Sequence, residues 1–137
     1  MFLVDTDILS ALARRRRNAN VEAWIERQRT GDLFISVVSI GEIERGIALQ
    51  RRRNSDFAAA LATWLDQVLE VYGPRVLSFD LASARRWGRL SAELGHTGAD
   101  LQIAAIALEH GLTVVTRNLT HFEPTGVPVI NPYSAAN

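Results

Sequence analysis

Asp5 and Asp7 stand on either side of a threonine, directly after the apolar run Phe2-Leu3-Val4. Glu42 follows the apolar run Leu33–Val38 by a few residues, and Asp100 opens a run in which Leu101, Ala104, Ala105 and Leu108 recur at helical spacing. Thr116-Arg117-Asn118 closes the β-branched segment that begins at Thr113, with His121 three residues on. Carboxylates gathered in one cleft repel and raise one another's pKa unless a cation neutralises them. The chain has no Cys, so the available donors are hard oxygens, which suit Mg²⁺ or Mn²⁺. Such an ion lowers the pKa of a bound water and steadies charge on a phosphoryl oxygen.

Each acid also has a local reading. Thr6 or Asp7 caps the helix predicted from Ile8 to about Arg15, which accounts for one acid of that pair but not both. Ser39-x-x-Glu42 and Thr97-x-x-Asp100 each fit a capping box, and for Glu42 taken singly this is the stronger reading. Taken together the capping readings become strained.

The elements that must position these residues can be read from periodicity. Phe2–Val4 predicts a central parallel strand. Asn20–Arg29 predicts an amphipathic helix, and Leu33–Val38 a second strand. A helix follows from Ser39 to about Arg51. In it Gly46 costs about 1 kcal/mol against Ala, and close backbone packing would supply its reason. Ser55 is placed to cap a helix whose stripe of Phe57, Leu61, Trp64, Leu65, Val68 and Leu69 is heavier than one small core covers. Val76–Phe79 predicts a third strand, with Asp80 capping Leu81–Leu94. The Asp100 helix is apolar almost all round, hence buried, and Gly111 is its C-cap. Thr113–Thr116 predicts a fourth strand. Pro128 places Val127–Ile130 at a sheet edge. This alternation predicts a single domain over 1–137, a three-layer α/β/α fold with a mainly parallel sheet of about five strands. Binding crevices of such sheets lie outside the carboxyl ends of the strands, so Asp5, Glu42 and Asp100, with Asp7 near, are expected in one cleft.

Composition narrows the chemistry. All 15 basic residues are Arg, which excludes mechanisms that need a side-chain amine and favours forked contacts to phosphate. Formal net charge is zero, so no global field draws in nucleic acid. Arg14–Arg17 reads as a solvated helix end, and Arg85, Arg86 and Arg89 as a solvated strip. No apolar run reaches membrane length, Met1–Val4 is too short for a signal peptide, and the absence of Cys fits a cytoplasmic location.

Five segments in order resemble the PIN-domain ribonucleases, and most closely the VapC toxins of bacterial toxin–antitoxin pairs in the FitB-like subgroup. They are Leu3–Ser10, Ser39–Gly46, Asp100–Ala107, Thr116–Asn118 and Asn131–Tyr133. The resemblance implies a PIN-like fold and magnesium-dependent cleavage of RNA, with Asp5, Glu42 and Asp100 as metal ligands. It also implies a homodimer and a cognate antitoxin whose tail occupies the cleft, and the Phe57–Leu69 stripe suits such a surface. Thr116 is then placed to orient a metal-bound water or a neighbouring acid. Asn118 is a candidate for holding the loop or a substrate phosphate, and Arg117 for steadying phosphate or pairing with a surface acid. His96 and His110 read as structural.

Two positions depart from the family pattern. Asp7 stands where Asn is usual, and His121 where a fourth acid is usual. Either the site uses three acids, or Asp7 compensates, or His121 itself ligates a metal and favours Mn²⁺. Two other functions compete. Asp5-Thr6-Asp7 also resembles the start of haloacid-dehalogenase-like phosphatases, but those carry a late Lys or Arg, usually Lys, and leave Glu42 and Asp100 without a role. A PIN-like domain that binds RNA or antitoxin without cutting has His121 as its support.

Overall fold

The computed structural model describes residues 1–14 and 17–134. Five strands, β1 (Phe2–Val4), β2 (Leu33–Ser36), β3 (Val76–Leu77), β4 (Thr113–Val115) and β5 (Val129–Ile130), form one sheet in the order β3-β2-β1-β4-β5. Every pairing is parallel, and Leu3 lies opposite Phe34 on one side and Val114 on the other. The helices among the described residues are α1 (Thr6–Leu12), α2 (Ala19–Arg27), α3 (Val37–Gln50), α4 (Ser55–Tyr72), α5 (Leu81–Leu94), α6 (Ala99–His110) and α7 (Leu119–Phe122).

Side chains on a strand alternate between the two faces of the sheet, and the core divides accordingly. Val4, Leu33, Ile35 and Val115 pack with Ile8, Trp24, Ile47 and Leu65 of α1–α4 on one side. Leu3 and Val114 pack with Ile103, Ile106 and Phe122 of α6 and α7 on the other. Each such side chain contributes about 1.5–3 kcal/mol when fully buried. This is the expected three-layer arrangement, with β1 at its centre and β5 at an edge.

Several boundaries differ from expectation. The second strand stops at Ser36 rather than Val38, because the Ser36 hydroxyl accepts the Ser39 N–H at 3.2 Å and starts α3 at Val37. Capping there overrides the β preference of Val37 and Val38. The third strand is Val76–Leu77 only. Asn54, not Ser55, caps α4 by accepting the Phe57 N–H at 3.0 Å. Neither capping box forms: α3 begins before Ser39, and Gly98 caps α6 without a side-chain bond. Gly46 has no close neighbour, and a Cβ there would meet nothing within 4 Å. The helix α7 went unforeseen. Gly111 does end α6 in the left-handed region, at φ 65°. The predicted helix end at Arg15 lies outside the described residues, as does Arg16. Arg86 forms an ion pair with Glu109 at 2.6 Å, joining α5 to α6.

The strand order runs outward both ways from β1, so the chain's progression reverses between β1 and β4. The crevice of an open parallel sheet lies at the carboxyl ends flanking such a reversal. Asp5 and Thr116 are the residues that leave those two ends.

Candidate active site

Asp5 is the N-cap of α1, a role expected of Thr6 or Asp7. Its backbone N–H still belongs to the sheet, donating to the Val115 carbonyl at 2.9 Å. One carboxylate oxygen accepts the Thr6 N–H at 2.8 Å, and the other accepts the Thr116 hydroxyl at 2.8 Å. Thr116 is wholly buried, and Asp5 is only 5% exposed. Burial, and then the neighbouring charge of Asp7, push the Asp5 pKa up to about 7 against those hydrogen bonds. At neutral pH this carboxyl is therefore short of positive charge.

Asp7 lies in the first turn of α1 and faces the loop after β4. Its Oδ2 accepts the Arg117 N–H at 3.2 Å and the Asn118 side-chain amide at 3.4 Å. Its Oδ1 is buried with no hydrogen-bond partner. A buried carboxylate oxygen left without a donor is costly, so this atom calls for a cation or a water. The Asn118 N–H donates to the Thr116 hydroxyl oxygen at 3.0 Å. Asn118 thus holds the loop and Asp7 together. The Arg117 guanidinium lies over the Tyr133 ring, 4.6 Å from its centroid, rather than against a surface acid.

Glu42 stands in the second turn of α3 and is reached from α1. Thr6 Oγ1 lies 2.7 Å from both Glu42 Oε1 and Ser39 Oγ. One hydroxyl proton cannot serve both. An ionised carboxylate only accepts, so Thr6 donates to Glu42 and is free to accept from Ser39. Ser36 Oγ lies 3.4 Å behind Ser39 Oγ. This row of hydroxyls holds Glu42 toward α1, a role beyond the helix caps that residue type suggests for Thr6 and Ser39. The one signal in the sequence is a polar residue directly after each central apolar run: Asp5, Ser36 and Thr116.

Asp100 is the second residue of α6 and is partly exposed. His121 Nδ1 of α7 lies 3.1 Å from its Oδ2. The histidine in the place of an expected acid is therefore a direct neighbour of Asp100.

Residues 2–123 match the family described as the PIN domain. The chain belongs to the PIN domain family. Plasmid stability protein StbB of Pseudomonas syringae pv. tomato is 38% identical over 98% of this chain and all of its own. VapC ribonuclease Y4jK of Sinorhizobium fredii is 34% identical over 99% and 100%. Among solved structures, FitAcB from Neisseria gonorrhoeae superposes with a TM-score of 0.87 at 32% identity, covering 97% of this chain and 99% of its own.

Within this PIN domain the expected acids fall into three groups: Asp5 and Asp7, joined through Thr116 and Asn118; Glu42, bonded to Thr6; and Asp100, beside His121. Among the described residues, no three His, Asp or Glu side chains stand close enough to hold one ion between them. The donor chemistry nevertheless fits a hard divalent cation. The Asp7 Oδ1 orphan and the raised Asp5 pKa both mark missing positive charge. Mg²⁺ usually takes only one or two carboxylates and fills its remaining positions with water and phosphate oxygens.

Proposed function

We propose that this PIN domain is a metal-dependent endoribonuclease, the toxin of a toxin–antitoxin pair. The observation that carries the reading is the Asp5–Asp7 pair at the β1–β4 reversal, with Asp5 and the Asp7 Oδ1 atom buried, short of cationic charge and fixed by Thr116 and Asn118. The ribonuclease and toxin names of relatives that match nearly the whole chain support it.

Asp5, Glu42 and Asp100, with Asp7 or His121 alongside, would have to draw together to hold one divalent ion, which would supply a water of lowered pKa and neutralise charge on the RNA phosphodiester. Mg²⁺ is the expected ion, and Mn²⁺ the alternative if His121 ligates. The chain's own part is positioning. Thr116 and the Thr6 N–H lock both Asp5 oxygens, Thr6 aims Glu42, and His121 holds Asp100. Arg117 offers a guanidinium at the mouth of the site for phosphate.

Between α1, α3 and α4 lies a groove of about 270 Å³. Thr6, Ser10, Glu42 and Gly46 line one part of it, and Phe57 and Trp64 the other. The missing Gly46 side chain leaves room over its floor. The groove joins an acidic site to an apolar wall, which suits the tail of a cognate antitoxin. Leu65 and Val68 of the same stripe are buried, whereas Phe57 remains exposed. No helix among the described residues is long and apolar enough to cross a membrane. A cytoplasmic homodimer completes the reading, and sedimentation of the purified chain checks the dimer.

The decisive experiment is cleavage of a mixed RNA pool with Mg²⁺, Mn²⁺ or chelator, beside Asp100→Asn. Metal-dependent cutting that Asp100→Asn abolishes is expected. A second reading, binding without cutting, is favoured by the absence of a three-ligand cluster among the described residues. Intact RNA with retained binding across the metal titration would decide for it. Replacing His121 by Asp separates its roles: an unchanged metal affinity and preference removes His121 from the ligand set.

A further inference from the structure

A second cavity has Arg117, and none of the expected acids, in its lining. It has a volume of about 280 Å³ and is lined by Ala11, Arg14, Arg17, Asn18, Arg117 and Tyr133. Three guanidiniums therefore meet in one small space, although the chain as a whole has no net charge. Among the described residues, the only acid paired with any of them is Glu22, 3.6 Å from Arg17, and both partners of that pair are about half exposed. Such a pair is worth little and yields easily to a stronger anion. Among the described residues neither Arg14 nor Arg117 pairs with an acid.

The rest of the lining adds donors and rigidity. Asn18 Oδ1 accepts the Asn20 and Val21 N–H groups at 2.9 and 3.2 Å, so the Asn18 amide nitrogen is left to donate. Tyr133 is tied at both ends. Its carbonyl accepts the Asn20 side-chain amide at 2.9 Å, and its N–H donates to Asn131 Oδ1 at 2.9 Å. The ring is thereby a fixed platform, and the Arg117 guanidinium stacked on it presents its N–H edge. A stacked guanidinium that still has free donors is well suited to phosphate.

Arg117 links the cavity to the acidic site. The Arg117 backbone N–H donates to Asp7 while its side chain stacks on Tyr133. Asp7 and Ala11 lie four residues apart on one side of α1, and Arg14 follows in the turn just beyond it, its N–H donating to the Ala11 carbonyl at 3.3 Å. From Asp7 to Arg14 is roughly 10 Å at helical rise, a span that a short length of nucleic-acid backbone bridges. An acidic peptide laid along this line would bring its carboxylates against Asp5 and Asp7. A phosphodiester strand presents one phosphate to the acid site and its next phosphates to the guanidiniums.

We infer that the Arg14–Arg17–Arg117–Tyr133 pocket is a subsite for an RNA backbone phosphate beside the one cleaved, an assignment that rests on the ribonuclease reading above. At this volume, near the bottom of the range for small-ligand pockets, it takes a phosphate with part of its nucleotide rather than a protein element.

The test uses a short fluorescent single-stranded oligoribonucleotide, with Mg²⁺ present, in an Asp100→Asn background that prevents cutting. Affinity is measured against salt. Arg14→Gln and Arg117→Gln should each weaken binding and flatten the salt slope by about 0.7, the value for one lost phosphate contact on a single strand. Arg117→Lys should restore the slope but not the full affinity, because Lys carries the charge without the fork or the stack. Arg51→Gln, at the C-cap of α3 and outside the cavity lining, should leave the slope unchanged, and circular dichroism checks that each variant is folded. Unchanged slopes in both Gln variants, with the parent binding RNA, overturn the subsite and leave the nuclease reading intact. A parent chain that neither binds nor, with Asp100 intact, cuts RNA removes both. A polyglutamate peptide that competes as strongly as the oligonucleotide assigns the pocket to an acidic protein segment and overturns the RNA assignment.

Discussion

Two aspartates do the same local job at opposite ends of the fold. Asp5 caps α1 and Asp80 caps α5, each accepting a backbone N–H of its own helix, at 2.8 and 2.9 Å. Their electrostatics are opposed. Asp80 is exposed, and the Ser83 N–H holds its carboxyl below the usual range. Asp5 is buried beside Asp7, and its carboxyl is pushed up to about 7 despite its hydrogen bonds. Capping favours the charged form in both. Burial and a second carboxylate outweigh it only at Asp5. A residue that serves the helix alone has no reason to be placed so expensively, whereas one that waits for a cation does.

Substitution should pull the two apart most sharply in activity. Asp5→Asn is expected to reduce metal-dependent RNA cleavage by more than about 100-fold, since loss of even outer partners of a metal costs 10–100-fold. Asp80→Asn should leave the rate unchanged in the same assay. Equal losses in both would break the contrast.

Stability should move the other way. Without metal at pH 8, Asp5→Asn is expected to raise the unfolding free energy by roughly 1–3 kcal/mol in a urea titration, because a buried charge is removed while an acceptor for Thr6 remains. The sign follows from linkage. Asp5 keeps its proton to about pH 7 when folded and to about 3.9 when unfolded. The folded chain binds more protons between those values, so stability falls as pH rises through them. The advantage of Asp5→Asn should therefore shrink as pH falls from about 7 to about 4 and be absent below that, and Mg²⁺ at neutral pH should reverse it. For Asp80 the sign is opposite: its contribution is present above the ordinary carboxylate range and is lost as pH falls through its lowered pKa.

Thr116→Val sharpens the same contrast. It removes the hydroxyl that donates to Asp5 and accepts from Asn118, and should cost about 1–2 kcal/mol of stability in chelator. It should also raise the pH at which cleavage appears, as Asp5 loses a bond that favours its charged form. The smallest effect is expected from Asp80→Ala, a modest fall in Tm at neutral pH with cleavage intact.

The residues of the site were largely legible, because polar groups directly after apolar runs are conspicuous in a 47% hydrophobic chain. Asp5, Thr116 and Asn118 do meet, and Pro128 did mark an edge strand. Local capping was harder to read. Thr6, Asp7 and Ser39 all suit caps by type, but the caps fell to Asp5, Ser36 and Asn54, since the choice depends on where the sheet releases the chain. Gly46 was given a packing reason that the open space around it does not support.

Periodicity and residue type by themselves determined the layers: alternating apolar runs can only bury both faces of a parallel sheet beneath helices. The order β3-β2-β1-β4-β5 was beyond them, and that order decides that Asp5 meets Thr116 and not Ser78. Beyond them too were the Thr6 hydroxyl on Glu42, the imidazole on Asp100, and Arg117 resting on Tyr133. These contacts join residues 16 to 111 positions apart, and the sequence carries no local energy term that favours them. They exist because burial fixes where each element lies, and only then do the polar groups left at the sheet edge find one another.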